Sequence, residues 1–192
     1  MTRFGRKILN VLLAFSIFLC LSVRSSCAAT APATITVVSG GLVVTVIGGG
    51  SVAFSNLTLN GTDQTVNPTG TPTIRVIDAT GSNAGWNVTF TATDFISGAN
   101  TIPNTNFSFN PTGGSLVRIS GQAVDGTNGP KEAGGGSQVL SGSVKALTTS
   151  AGYGKGKYDY TPATGSFSLT VPATTLVGTY TSTLTITLSS GP

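Results

Sequence analysis

The chain contains no histidine, and its two cysteines, Cys20 and Cys27, lie near the N-terminus. Everything after residue 29 therefore lacks the commonest general base, thiol nucleophiles, disulfides and the usual ligands of transition metals. The six carboxylates show no shared spacing that would indicate a catalytic pair. We therefore predict a non-enzymatic protein with no catalytic residues, no metal site and no cofactor.

Charged side chains are also scarce, at 8% of the sequence. Four of the ten basic residues lie within the first 29 positions, so the remainder has six basic residues against six acidic ones. A net charge near zero, without a run of Lys or Arg, gives little electrostatic attraction to the phosphates of nucleic acid. The sequence therefore predicts no nucleic-acid partner.

The first 29 residues have the pattern of a secretory signal peptide. Three basic residues precede an apolar run, Ile8–Val23, and small residues follow it. The apolar run is short for a membrane helix, and one Asn and two Ser residues interrupt it. We predict a signal peptide over residues 1–29, cleaved after Ala28 or Ala29. Residues 30–192 then form one secreted domain with no stable insertion in the membrane.

The rest of the chain has few helix-forming runs but several stretches in which apolar and hydroxyl side chains alternate. In Gly165–Pro192 this alternation occurs twice, with a Pro/Gly interruption between the two stretches. Around the only tryptophan, Trp86, the residues Val88 and Phe90 share its side of the chain. A period of two indicates strands with one apolar face and one polar face, and it predicts that Trp86 lies in the core.

About ten such strands with turns between them predict an all-β fold, a single β-sandwich of mostly antiparallel strands, with a closed barrel as the alternative. The short connection between Thr73–Asp78 and the Trp86 strand predicts that these two strands pair. Thr34–Val37 and Leu42–Ile47 are predicted as a first pair. The Gly-rich, Pro-containing segment Gly121–Gly136 is interpreted as a long surface loop.

Two loops contain oxygen ligands that calcium would accept, one around Asp78 and one around Asp125. Neither loop has the alternating acidic spacing of a dedicated calcium loop, and Asp side chains commonly bond to the backbone of their own turns. The turn interpretation is therefore favoured. Among the aromatic residues, Tyr153 lies between glycines and lysines, so we predict that it is the one exposed to a ligand.

The order of several segments resembles the WxL domain family. The segments that carry this resemblance, within a similarity extending over about Ile35–Pro192, are Ile74–Gly81, Gly85–Val88, Ala151–Gly154, Ser168–Pro172, Gly178–Thr181 and Thr185–Leu188. The sequence departs from the family at both name-giving motifs. The first reads Trp86-Asn87-Val88, and the second reads Ile186-Thr187-Leu188, with Ile where the family usually has Trp.

The resemblance implies an all-β protein of the bacterial surface that associates non-covalently with the peptidoglycan of the cell wall. Its partners would be peptidoglycan or other surface proteins. The residues that we predict for binding are Trp86, Asn87, Tyr153, Tyr180 and Thr187.

Two alternative functions remain open from the sequence. One is a self-assembling structural subunit of a surface layer, filament or matrix, because uncharged, Thr-rich strands leave sheet edges free to pair. The other is a carbohydrate-binding β-sandwich in which aromatic rings stack on sugars.

Overall fold

Strands dominate the computed structural model of the protein, which describes residues 32–192. The strands are β1 (Gly41–Ile47), β2 (Ala53–Phe54), β3 (Gln64–Val66), β4 (Pro68–Gly70), β5 (Thr73–Ala79), β6 (Trp86–Ala92), β7 (Phe95–Ser97), β8 (Asn100–Ile102), β9 (Phe107–Phe109), β10 (Ser115–Gly121), β11 (Lys131–Glu132), β12 (Gln138–Val139), β13 (Val144–Thr148), β14 (Gly156–Thr161), β15 (Phe167–Val171) and β16 (Leu184–Ser190). Two single-turn 3-10 helices, Asn104–Asn106 and Thr164–Ser166, precede β9 and β15. The predicted signal peptide, residues 1–29, lies outside the described residues.

The strands form three four-stranded sheets, ordered β1-β5-β14-β10, β11-β13-β6-β16 and β12-β9-β15-β3, together with the pairs β2-β4 and β7-β8. Every strand pairing within residues 32–192 is antiparallel. In this part of the chain each sheet ends in two free edges, and no sheet closes on itself. The prediction of an all-β, mostly antiparallel sandwich is confirmed, and the closed barrel is not the architecture.

Strand β6 occupies the centre of the core. Its side chains alternate, so that Trp86 and Phe90 point inward while Thr89 points outward. Trp86 packs against Tyr158 of β14 with ring centroids 6.1 Å apart, and Phe90 packs against Phe109 of β9 at 4.8 Å. One layer is therefore the sheet that contains β6, and the other two four-stranded sheets cover its apolar face. The prediction that Trp86 lies in the core is confirmed, because its relative exposure is 0%.

The predicted pairing of Thr73–Asp78 with the Trp86 strand is wrong. Strand β5 pairs with β1 and β14, whereas β6 pairs with β13 and β16. Strands β5 and β6 each have a fully buried apolar side. Because they belong to two different sheets, these sides can cover each other across the core. The short connection thus takes the chain from one layer of the sandwich to the other.

The two alternating stretches of the C-terminal segment are strands, β15 and β16, as predicted. They belong to different sheets, since β15 pairs with β3 and β9 while β16 pairs with β6. The predicted strand Thr34–Val37 is absent, because those residues have no regular structure.

Gly121–Gly136 is more ordered than the loop interpretation expects. It contains β11, which pairs with β13, and Pro130 is buried. The Glu132 carboxylate accepts hydrogen bonds from the backbone N–H groups of Gly113 and Gly114, at 3.0 and 2.6 Å, and from the Tyr160 hydroxyl at 3.3 Å. These three hydrogen bonds compensate the partial burial of the Glu132 carboxylate. The composition of the segment does not indicate such contacts.

Within residues 32–192 no helix has both the length and the apolar character needed to cross a bilayer.

Candidate functional site

The inward-facing tryptophan closes one end of the sandwich through hydrogen bonds. The indole Nε1–H of Trp86 donates to the carbonyl of Gly154 at 2.9 Å, and its backbone N–H donates to Oγ1 of Thr149 at 2.8 Å. Thr149 is itself fully buried, and Tyr158 packs against the indole. We call these four residues, Trp86, Thr149, Gly154 and Tyr158, the Trp86 corner. A buried N–H group that is hydrogen-bonded avoids most of the free-energy cost of losing its contact with water. Both N–H groups of Trp86 can therefore be buried in the corner.

Gly154 allows the corner to form. Its φ of +80° is unfavourable for residues with a Cβ, and a Cβ at this position would lie 2.7 Å from Nε1 of Trp86. Only glycine therefore lets the backbone come close enough to accept the indole hydrogen bond.

The segment Gly152–Lys155, which we call the Tyr153 loop, is attached to the corner by Gln122. The Gln122 side-chain amide donates to the carbonyl of Gly152 at 3.0 Å and accepts from the backbone N–H of Lys155 at 2.9 Å. The Tyr158 hydroxyl also donates to the carbonyl of Lys155, at 3.0 Å. Tyr153 is 36% exposed on this fixed loop. The loop therefore presents an aromatic ring to solvent from a well-held backbone.

A lysine and an asparagine extend the polar surface of this loop. The Lys155 ammonium donates to Oδ1 of Asn83, and the Gly152 N–H donates to the carbonyl of Asn83 at 2.9 Å. The exposed tyrosine is thus flanked by a cation and by amide groups, a combination that suits hydroxyl, amide or carboxylate groups of a ligand.

Asn87 lies on the outer side of β6 but is only 6% exposed, because the C-terminal residues cover it. Its amide nitrogen donates to the carbonyl of Gly191 at 2.6 Å, and the Gly191 N–H donates to the carbonyl of Gly85 at 3.0 Å. The Asn87 Oδ1 is buried without a protein partner. Asn87 therefore holds the end of the chain against β6, with one acceptor left over.

The outer face of the central sheet is a row of hydroxyl groups. Thr187 of β16 lies opposite Thr89 of β6, and Thr185 lies opposite Thr91. On the other side of Thr89, β13 places Lys145 directly opposite. Thr185, Thr187 and Lys145 are exposed. We call these five residues the threonine face, which offers hydroxyl donors and acceptors and one cation to solvent.

Tyr180 lies at the opposite end of the molecule. Strand β6 runs from Trp86, paired with Ser190, to Ala92, paired with Leu184, and seven residues of strand span about 20 Å. Tyr180 precedes β16 at the Leu184 end, and its hydroxyl donates to the carbonyl of Leu176 at 2.9 Å.

Of the five residues predicted for binding, Trp86 contacts the Tyr153 loop through the carbonyl of Gly154, Asn87 and Thr187 lie on the outer side of the same sheet, and Tyr180 lies apart. Because the indole of Trp86 is fully buried, it offers no surface to a ligand.

The end of the sandwich that contains Tyr180, which we call the open end, has a phenylalanine cluster and is loosely filled. Phe54, Phe95 and Phe107 meet there edge to face, with centroids 5.2 to 6.3 Å apart. A cavity of about 470 Å³ lies beside Tyr180. A second cavity, of about 250 Å³, lies between residues 50–54 and β16, and Ile186 lines it.

The two name-giving motifs lie on neighbouring strands. Val88 of the first motif is directly opposite Leu188 of the second, and Ile186 is opposite Phe90. The pairing places the apolar residues of both motifs on the core side of one sheet. A family model described as "WxL domain surface cell wall-binding" matches residues 47–192. The chain belongs to the WxL family.

The family match identifies a surface domain that binds the cell wall, and it covers the sandwich from the end of β1 onward. Comparison with curated proteins found no match, and comparison with solved structures found none either.

The two loops considered for calcium are turns. Oδ1 of Asp78 accepts from the N–H and the hydroxyl of Thr80, and Oδ1 of Asp125 accepts from the N–H groups of Thr127 and Asn128. These backbone hydrogen bonds hold the pKa of Asp125 below its usual value. Among the described residues no group of three or more His, Cys, Asp or Glu side chains could hold a metal ion.

Sequence reasoning missed Thr149, Gln122 and Gly191. Thr149 lies just after β13 and looks like any other threonine, and Gln122 lies in the segment interpreted as a surface loop. Each acts through a contact with a residue at least 30 positions away in the chain. No local pattern indicates such contacts.

Proposed function

We propose that this WxL protein is exported and associates non-covalently with cell-wall peptidoglycan as a binding protein without catalytic activity. The observation that carries the proposal is the combination of a family match for cell-wall binding with the exposed, hydroxyl-rich threonine face and the fixed Tyr153 loop. The contact residues would be Tyr153 and Thr187, with Lys145 and Lys155 beside them.

The chemistry of these groups suits a glycan that carries peptides. Peptidoglycan presents sugar rings, N-acetyl groups and peptide carboxylates, for which an exposed aromatic ring, hydroxyl groups and lysines are complementary. Lys145 and Lys155 would supply cations to the carboxylates, while the hydroxyl groups exchange hydrogen bonds with the sugar. Such contacts hold a polymer without forming covalent bonds.

Asn87 takes an indirect part in this proposal. It holds Gly191 against β6, which keeps the C-terminal end of β16 in place beside the threonine face. Asn87 and Trp86 are positioning residues, since neither exposes its side chain to a ligand.

Co-sedimentation of the exported protein with purified peptidoglycan tests the proposal. We expect the protein to pellet with the wall, and we expect Tyr153→Ala to weaken pelleting severalfold without altering the fold, because this ring is 36% exposed. Tyr180→Ala is the matched control from the open end and should pellet like the unaltered protein. An unaltered protein that stays in the supernatant when folded would overturn the proposal.

A second variant tests the threonine face separately. Thr187→Val keeps the β-branched shape and removes only the hydroxyl, so the strand should be unaffected. We expect weaker pelleting from the lost hydrogen bonds. Equal losses of pelleting for Thr187→Val and for Thr101→Val, an exposed threonine of β8, would show that the effect is unrelated to this face.

A further inference from the structure

The free edges of the three main sheets differ in how well they are protected against pairing with another chain. Edges are commonly blocked by charged residues, by bulges or by short length. Strand β10 has Arg118 and a register shift, and β3, β11 and β12 have only two or three residues each. Strands β1 and β16 have seven residues each, a continuous register, and neither charge nor proline. They are the two unprotected edges of the three sheets described.

These two edges lie on the same side of the molecule. Cα atoms of β1 and β16 come within 8 Å of each other, yet no backbone hydrogen bond joins these two described strands. The cavity of about 250 Å³ lies beside β16, where Leu184 and Ile186 line it together with Val46 at the end of β1 and residues 50–54 that follow β1. An apolar space beside an unpaired strand has room for side chains of an added strand.

The chain also contains an unused strand-forming segment, Thr34–Val38, outside the region matched by the family model. Ile35, Val37 and Val38 are 89%, 85% and 81% exposed, and none of them belongs to a strand. The residues are β-branched and uncharged, which is typical of strands. Thr34–Val37 alternates hydroxyl and apolar residues in the same way as β16 from Thr185 to Leu188.

We propose that Thr34–Val38 of one copy adds as a strand to the free edge of β16 in a second copy of this chain. Ile35 and Val37 enter the cavity beside Ile186, and Thr34 and Thr36 extend the threonine face. Backbone hydrogen bonds supply much of the affinity in such strand addition, while the pocket for alternate side chains fixes the register.

The donor segment and the acceptor edge are different surfaces, so each copy gives one strand and receives one. A contact of this kind continues from copy to copy and builds a filament unless it closes into a ring. The occupant is a second copy because the segment has the alternation that the edge requires. A second copy can supply the segment without any change in the chain path at Gly40, whose N–H is bonded to the carbonyl of Ala79. The proposal does not depend on wall binding.

Disulfide trapping between two different variants of the exported protein tests this contact. One variant carries Thr36→Cys, and the other carries Thr185→Cys or Thr187→Cys. A disulfide between the two different variants can then form only between two copies of the protein. The control partner carries Val139→Cys, which is exposed on the short edge strand β12. Protein without an introduced cysteine measures the background rate of disulfide formation through Cys20 and Cys27 in any protein that retains residues 1–29.

We expect mixed disulfide dimers to form at least tenfold faster with the β16 variants than with the Val139→Cys control. We also expect the average mass of the unaltered protein to rise with concentration in analytical ultracentrifugation, and Ile35→Asp to abolish that rise. Equal trapping rates for β16 and the control would overturn the proposal. A monomer at every concentration, or association that survives Ile35→Asp, would overturn it too.

A second variant tests the cavity itself. Ile186→Trp fills the space that Ile35 and Val37 would enter, so it should prevent association while the fold is kept, as circular dichroism can verify. Association that is unchanged in folded Ile186→Trp would contradict the proposed position of the donor.

Discussion

The two ends of β6 differ in how they are completed. At the Trp86 corner the buried indole and backbone donors find partners, and Gly154 approaches as closely as a residue without Cβ allows. At the open end, Phe54 and its neighbours meet with cavities of about 470 and 250 Å³ beside them. Hydrogen bonds thus fix the buried indole at the corner, whereas the phenylalanine cluster at the open end is held by apolar contact and has space beside it. We therefore expect the corner to be sensitive to small changes and the open end to tolerate larger ones.

The largest effect is expected for Trp86→Ala, which empties the corner. Truncating a buried aromatic residue costs about 3 to 5 kcal/mol, and here the carbonyl of Gly154 also loses its donor. Urea denaturation of the purified protein measures the loss. A cost below about 1 kcal/mol would contradict the central role of the corner, since buried aromatic truncations rarely cost so little.

Gly154→Ala tests the close approach directly. The added Cβ would lie 2.7 Å from the Trp86 Nε1 at a φ of +80°, so strain and the clash together should cost about 2 to 3 kcal/mol. Gly152→Ala is the matched control, because its φ is +89° but a Cβ there would meet nothing within 4 Å. Equal costs for the two variants, measured by thermal unfolding, would show that the close approach of Gly154 to Trp86 and Thr149 contributes nothing.

Phe54→Ala tests the open end. Phe54 is only half-buried and already borders both cavities, so the change should cost about 1 to 2 kcal/mol, less than a fully buried phenylalanine. Phe109→Ala is the reference for the cost of truncating a phenylalanine with 0% exposure. A cost for Phe54→Ala that equals the reference in urea denaturation would mean that the two ends are equally tight.

Ile186→Trp should change the free energy of unfolding by less than about 1.5 kcal/mol, because the cavity beside Ile186 can take part of the indole. Phe90→Trp, opposite Ile186 but fully buried, is the control and should destabilise more. The same denaturation series checks both. A larger cost for Ile186→Trp than for Phe90→Trp would show that the cavity is not usable space.

The smallest effect concerns acid stability at the ion pair between β5 and β14. The hydrogen bonds from Arg75 hold the pKa of Asp159 below its usual value. A carboxyl group with a lowered pKa stabilises the fold above its unfolded pKa, and this contribution is lost as the pH falls through the folded pKa. Asp159→Asn should therefore remove part of the stability measured at pH 6 and little of that at pH 2. For a partly exposed ion pair the effect should be below about 1 kcal/mol.

The sequence allowed the fold class, most of the strands and the buried position of Trp86 to be predicted, because a period of two in apolar residues is a local signal. The pairing of β5 with β1 and β14 was not predicted, since the order of strands depends on which faces cover each other across the core. The C-terminal strands were recognised individually, but their placement in two sheets depends on contacts between residues far apart in the chain.

The candidate site was only partly predictable, for the same reason. Tyr153 was chosen correctly as exposed, because glycines and lysines surround it in the sequence. The contacts from Gln122 and Thr149 that position the loop join residues that are distant in sequence. Whether Tyr153 and Thr187 contact a ligand stays a prediction.

The measurement that tests the account most directly is hydrogen exchange of the exported protein with and without soluble peptidoglycan fragments. We predict slower exchange on binding in the Tyr153 loop and in β16 around Thr185–Ser189, with no change at Leu57 or Leu176 of the open end. Protection confined to the open end, or no protection when the fragments are bound, would contradict it.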